Sequence, residues 1–155
     1  MRQTGDSLIA AYDLNRLLCL NNMHVLVPIN NPKMDILYFL GIINSKLLNW
    51  YYHSINPELG EALAEVKKTN VAKLPIFVIE FSNPSNKTRH DKMVDHVTKM
   101  LDLNKRLASA RTPQEQSVLK TQIETTDKLI DRLVYELYDL TPEEIEIVSR
   151  ETVKV

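Results

Sequence analysis

TPQEQSVLKTQIETTDKLIDRLVYEL, running from Thr112 to Leu137, decides the architecture. A threonine in the cap position, a proline at the first helical position and a glutamate three residues after the cap form a helix start signal. Behind it Leu119, Ile123, Thr126, Ile130, Leu133 and Leu137 recur at 4-3-4-3-4 spacing, a heptad seam. The preceding stretch, Thr88 to about Ala110, carries Met93, Val97, Met100 and Leu107 at 4-3-7 spacing. Asn104 fills its gap, and Val94, Leu101 and Ala108 widen the stripe. The short break at Arg111-Thr112 folds the two segments into an antiparallel hairpin. In that register Leu107 faces Leu119, Val97 faces Ile130, and Asn104 falls near Gln122 or Ile123. Thr141-Pro142-Glu143-Glu144 repeats the start signal and opens a last short helix through Val148.

Upstream of the hairpin the chain changes character. Ser82 to Lys87 is dense in turn formers and reads as a linker. Leu74 to Ile79 reads as extended, and Glu61 to Lys68 is compatible with a short helix or a strand edge. Asp35 to about Ser54 reads as one helix, apolar nearly all round and therefore buried; Asn56-Pro57 ends it. Residues 1–30 read as β. Ser7 to Tyr12 is one candidate strand, and His24 to Ile29, rich in β-branched residues and closed by Pro28, is another. Asn21-Asn22 suits a turn between them, and Asn30-Asn31-Pro32 a loop after them. Two strands alone are barely stable, so they read as the end of a sheet whose other strands lie upstream or elsewhere in the fold. The expected fold is α+β: a small incomplete β-sheet packed on the Asp35–Ser54 helix, then a long antiparallel helical hairpin and a short C-terminal helix.

Composition narrows the function classes. The 155 residues suffice for one compact domain, or for a small domain with an extension. Only three glycines are present, which argues against Gly-rich phosphate loops. The net charge of −1 does not mark a free-standing, sequence-independent nucleic-acid binder, so any DNA contact must be local or shared with a partner. The lone Cys19 lies in Leu17-Leu18-Cys19-Leu20 and reads as a small buried hydrophobe in a reducing, cytoplasmic setting. No targeting signal opens the chain, and the longest apolar run, near Ile36 to Ile43, is too short to span a bilayer.

No catalytic constellation stands, and none is expected here, nor any metal site. There is no Asn-Pro-Pro-aromatic motif. Pro57-Glu58 followed by Glu65-Val66-Lys67 is a degenerate version of a nuclease signature that lacks its aspartate; a solvated charged face explains it more simply. His90 and His96 are six apart, which is not one helical face, so His90 is placed at the end of the hairpin seam without a ligand role. Trp50-Tyr51-Tyr52 could stack on bases but sits on the all-apolar helix and reads as core. Lys67, Lys68 and Lys73 bracket Thr69-Asn70, with Arg2 near the start of the chain. Lysines position a duplex through phosphates, while Asn, Thr and Arg can read base edges. An ordinary solvated lysine patch is the competing explanation.

Several segments taken in order carry a resemblance. Arg2-Gln3-Thr4-Gly5-Asp6 before a strand, Ile43-Asn44-Ser45-Lys46-Leu47 with aromatics after it, and Leu74-Pro75-Ile76 each resemble stretches of the TaqI-like C-terminal specificity domain of adenine-specific DNA methyltransferases. The Ile130 to Ile145 tail (IDRLVYELYDLTPEEI) is similar to a tail common in those enzymes, including fused restriction–modification enzymes. The resemblance implies a target-recognition domain followed by a helical spacer. The division it suggests is residues 1–81 for the C-terminal part of the recognition domain, 82–88 for a linker, and 89–155 for the hairpin spacer with its terminal helix. It further implies that double-stranded DNA is a partner and that the catalytic motifs, with S-adenosylmethionine, belong to an upstream methyltransferase domain of the same parent. No cofactor is expected in this chain. Much of the base-reading surface is also expected upstream. Arg2, Lys67, Lys68, Thr69, Asn70 and Lys73, most of them just before the Leu-Pro-Ile step, are the expected DNA-binding residues.

Two compatible functions follow and one competes. The chain is expected to be a DNA-recognition and scaffolding fragment, or else a helical assembly or dimerisation module that docks the recognition domain without binding DNA itself. Self-association through the hairpin belongs to the second. Asn104 and Thr126 would cost the seam stability while fixing its register. An independent enzyme has no candidate site, and a membrane role is not expected.

Overall fold

The structure is a computed structural model and describes residues 1–27, 34–58, 60–61 and 63–151. Six helices follow one another among these residues: α1 (Ile36–Asn44), α2 (Lys46–Ile55), α3 (Lys68–Val71), α4 (Pro84–Ser109), α5 (Pro113–Leu137) and α6 (Pro142–Glu151). The expected hairpin is formed by α4 and α5. Thr112 caps α5 by accepting the Glu115 N–H on its hydroxyl at 3.2 Å. Thr141 and Glu144 bond reciprocally at the start of α6, as their spacing announced. The α4 helix begins at Pro84, inside the stretch expected as linker, because Asn83 caps it by accepting from Ser85 and Asn86.

The seam differs in one place. In α4 the buried residues are His90, Met93, Val97 and Leu103, whereas Asn104 is exposed and bonds back to the Met100 carbonyl. Leu103, one residue before the expected polar interruption, takes the interior place. Thr126 is buried and satisfies its hydroxyl on the Gln122 carbonyl.

The expected single helix over Asp35–Ser54 is two helices, broken at Ser45. That residue has extended backbone and serves both ends: its hydroxyl donates to Ile42 O at 2.7 Å and accepts from Leu48 N at 3.3 Å. The new first turn of α2 gains a second acceptor from the hairpin, where Asp131 Oδ1 takes the Lys46 N–H at 2.9 Å. Orphan amides at a helix start need such partners. Lys46 Nζ also lies 3.2 Å from Asp131 Oδ2.

The core lies where α1 and α2 meet the base of the hairpin. Tyr38, Ile42, Leu48, Tyr52, Met93, Val134 and Leu137 are almost wholly buried in one continuous cluster. Each such side chain contributes about 1.5–3 kcal/mol through burial. Gly41 lets α1 cross α4 closely: a Cβ there would lie 2.5 Å from Met93 Sδ and 2.9 Å from Val97 Cγ2. His90 joins the same two helices. Its Nε2 accepts the Asp35 N–H at 3.1 Å, and its ring packs 5.2 Å from Tyr38 and 5.0 Å from Phe81. Those contacts give His90 a structural role at the joint of the two helices.

The β part of the expectation is overturned. Among the described residues there is no sheet, only two isolated antiparallel bridges, Arg2 with Met23 and Thr4 with Glu65. Ser7–Tyr12 and the described part of His24–Ile29 do not pair with one another. The β-branched run that suggested a strand is not used for burial: Val25 and Val27, with Leu26 between them, are all exposed. The backbone of residues 8–10 finds side-chain amides on α1 and α2 instead of a strand. Pro28, Ile29 and the Asn30-Asn31-Pro32 loop lie outside the described residues. Cys19, expected to be buried, is exposed.

Candidate nucleic-acid interface

The six expected contact residues lie on two segments that the fold brings side by side. Residues 1–5 run between Asn22–His24 and Ala64–Val66. Gln3 N donates to Asn22 O at 3.0 Å, Gly5 N to Ala64 O at 2.8 Å, and Val66 N to Gln3 O at 2.6 Å. Met1 and His24 exchange backbone bonds at 2.8 Å. The His24 ring donates from Nε2 to Val66 O at 2.5 Å, since a carbonyl can only accept. Arg2 thus sits next to the strip leading into Lys67. Its guanidinium lies over Gly5, where a Cβ would come within 2.7 Å of Arg2 Nη2; Gly5 also has φ +107, a conformation that favours glycine.

Tyr52, on α2, organises the second segment. Its buried hydroxyl donates to Glu65 O at 3.3 Å and takes hydrogen bonds from the Lys67 backbone and the Asn70 side chain; burial pushes its ionisation above the ordinary tyrosine range. A loop of charged and polar residues is thereby fastened to the core through one phenol. Lys67 then caps the single turn of α3, and Asn70 N and Val71 N both return to Lys67 O.

The six residues are not equivalent in this setting. Lys68, Thr69 and Lys73 are exposed around α3, and Arg2 is exposed beside them in the strip. Lys67 is exposed, but its ammonium is ion-paired with Glu58. That hydrogen bond holds the Glu58 carboxyl below, and the Lys67 ammonium above, their usual ranges. Asn70 is only 6% exposed and is committed to Tyr52. The charge around the strip is mixed, because Glu65 is also exposed and meets the Gln3 amide at 3.5 Å.

Glu58, Glu65 and Lys67, the degenerate nuclease signature, do come together in space. The lysine neutralises Glu58, Glu58 Oε2 accepts the Glu65 N–H at 3.1 Å, and Glu65 turns to Gln3. Among the described residues no group of three His, Cys, Asp or Glu side chains is placed to hold a metal ion. A second cluster escaped the sequence analysis: Ser7 Oγ lies 3.3 Å from His53 Nε2 and donates to Asp6 Oδ1 at 3.1 Å. A nucleophilic serine needs its carboxylate behind the histidine to orient the ring. Here the carboxylate holds the serine itself and also the Gly60 N–H, and burial keeps His53 below its ordinary value. The cluster pins the Thr4–Ser7 turn to α2.

Tyr52 is the residue that composition and spacing assigned to the core without noticing its hydroxyl. No sequence pattern marks which tyrosine of a Tyr-Tyr pair turns its phenol toward a loop. Leu14, Leu17, Leu18, Leu20 and the Val25–Val27 run are exposed, Leu18 almost completely at 98%. Among the described residues no helix is long and apolar enough to cross a membrane.

Comparison with known families gives one match. Residues 1–76 fit the family model of the TaqI-like C-terminal specificity domain. No curated protein and no solved structure matches the chain.

Proposed function

Because residues 1–76 match the family model of the TaqI-like C-terminal specificity domain, we propose that this chain is a DNA target-recognition and scaffolding part of an adenine-specific restriction–modification methyltransferase. A specificity domain has no catalytic step of its own. Methyl transfer, and the S-adenosylmethionine it consumes, are assigned to a methyltransferase catalytic domain of the same parent, working in the cytoplasm. The three glycines of this chain do not fit a cofactor loop: Gly41 is packed inside α1, and Gly5 and Gly60 sit in separate turns.

The observation that carries the proposal is the exposed shelf of Lys68, Thr69 and Lys73, with Arg2 in the neighbouring strip, inside the family-matched span. Lysines there supply phosphate contacts that position a duplex, and Arg2 and Thr69 are the candidates for reading base edges. Lys67 and Asn70 support the shelf through Glu58 and Tyr52 rather than offering free groups. In this proposal residues 1–81 act as recognition region and residues 89–155 as spacer. The continuous core supports a spacer that carries the recognition region rigidly.

The exposed apolar run from Leu14 to Val27 favours a second role in the same protein. Large exposed apolar side chains gathered in one segment suit a protein contact, and the methyltransferase catalytic domain is the partner proposed for it. Self-association through the hairpin is the remaining possibility, and sedimentation at several concentrations tests it; a concentration-independent monomer removes it.

The test of the main proposal is titration of the chain against a fluorescent duplex of random sequence at low and physiological salt. Binding that weakens steeply with salt supports phosphate contacts made by this chain. Absence of binding at low salt leaves assembly as its role.

A further inference from the structure

The asparagines of the Asn44-Ser45-Lys46 stretch and of the turn after it have no part in the function so far. Both amides at this helix break are occupied in the same way. Asn44 Oδ1 accepts the Ala10 N–H at 2.8 Å, and its Nδ2 donates to Ala10 O at 3.0 Å. Asn49 Oδ1 accepts the Leu8 N–H at 2.8 Å, and its Nδ2 donates to Leu8 O at 3.4 Å. Each side chain thus grips the donor and the acceptor of one residue, as a neighbouring strand would. The gripped residues are two apart, so their N–H and C=O groups share one edge of an extended segment. Ile9 lies between them and presents the other edge, where its carbonyl accepts the Arg2 N–H at 2.9 Å.

We propose that Asn44 and Asn49 are positioning residues that act as a substitute strand, fixing the register of residues 8–10 and, through Ile9, the place of Arg2. Register is the quantity at stake. A slip of one residue would turn Leu8, which is buried, outward and Ile9 inward. It would also move the carbonyl that holds Arg2 to the wrong edge. A backbone strand would set the same register through a ladder, but none lies beside this segment among the described residues, and two amides at a helix break replace it. Ser45 places the two asparagines by ending α1 and starting α2, and Asn49 Nδ2 also reaches Ser45 O at 3.2 Å. The consequence for DNA rests on the proposed function; the register claim does not.

The experiment follows amide exchange, residue by residue, in the full 155-residue chain. The double variant Asn44→Asp/Asn49→Asp keeps both acceptor oxygens, whereas Asn44→Leu/Asn49→Leu keeps the size and loses them. The Leu pair should speed exchange at Leu8 and Ala10 by about tenfold while the amides of α4 and α5 stay as in the wild type. The Asp pair should retain slow exchange at those two amides. Unchanged protection at Leu8 and Ala10 in the Leu pair would overturn the proposal. Equal acceleration throughout the hairpin would overturn it too, because the asparagines would then serve only overall stability. Duplex affinity is read on the same samples. If Arg2→Ala weakens binding, the Leu pair should weaken it equally, and an unweakened Leu pair would sink the positioning of Arg2. If Arg2→Ala binds as the wild type does while exchange follows the expectation, the register lock stands and the assignment of Arg2 to DNA falls.

Discussion

The hairpin of α4 and α5 and the N-terminal strip of residues 1–27 solve the same problem by opposite means. In the hairpin, backbone groups are satisfied within each helix, and the seam puts apolar side chains inside. In the strip the backbone is satisfied partly by bonds between its own distant residues, as from Gln3 N to Asn22 O, and partly from outside, by Asn44, Asn49 and the Ala64–Val66 segment. Many of its large apolar side chains face solvent. A regular element carries its own specification; an irregular one borrows it from the body it lies on. The strip should therefore depend on the helices far more than the helices depend on the strip.

The largest test of that asymmetry is Leu48→Ala. Leu48 is fully buried in α2, at the joint between the two regions. Its truncation should cost about 3 kcal/mol. Both regions should lose structure in one transition in a urea melt followed by circular dichroism and tryptophan fluorescence. Two separated transitions would show that the hairpin and the N-terminal region are independent bodies. Asp131→Ala comes next. It removes the acceptor for Lys46 N and the partner of Lys46 Nζ, and should cost about 2 kcal/mol. Asp131→Asn, which keeps an acceptor oxygen, should recover more than half of that, measured as thermal midpoints of the three proteins.

Tyr138→Phe is smaller and local. The Tyr138 hydroxyl donates to Pro75 O at 2.5 Å and accepts the Phe77 N–H at 3.0 Å, clamping the Leu-Pro-Ile step to the end of α5. Its removal should cost about 1 kcal/mol and raise amide exchange at Phe77, with no change in the distal half of the hairpin. The smallest effect has the opposite sign. Partial burial, and then the Asp131 charge one turn away, hold the Asp127 carboxyl above its ordinary value. The fold therefore favours its protonated form, so the ionised group weakens the fold at neutral pH, and that penalty is relieved as pH falls through the raised value. Asp127→Asn should stabilise by about 0.3 kcal/mol at pH 7, and the gain should shrink on acidification. A destabilised variant at pH 7 would contradict this.

Legibility in the sequence follows the same divide. Thr112-Pro113 and Thr141-Pro142 announce their helices, because a cap is a local bond between residues three apart. The break at Ser45 is harder to read, although serine is a good cap, since the apolar pattern runs through it and the second acceptor, Asp131, is 85 residues from Lys46, whose N–H it takes. Leu103 rather than Asn104 lies inside, and spacing alone cannot tell which of two adjacent residues turns inward. The β expectation failed for a physical reason: β-branched residues show that a segment favours extended backbone, not what it pairs with. Val25 and Val27 have strand character and no strand beside them among the described residues. At the candidate site the lysine shelf was legible as composition. The commitment of Lys67 to Glu58 and of Asn70 to Tyr52 is tertiary and left no local trace.

In the proposed function the α3 shelf touches DNA through Lys68 and Lys73. The direct measurement is the salt dependence of duplex binding by the wild type, Lys68→Ala/Lys73→Ala, and Lys67→Ala. The double variant should reduce the slope of log affinity against log salt by about 2, one for each lysine withdrawn from a phosphate. Lys67→Ala, whose ammonium already serves Glu58, should change the slope by less than about 0.5. Equal slopes for wild type and double variant, or a larger change for Lys67→Ala, would contradict it.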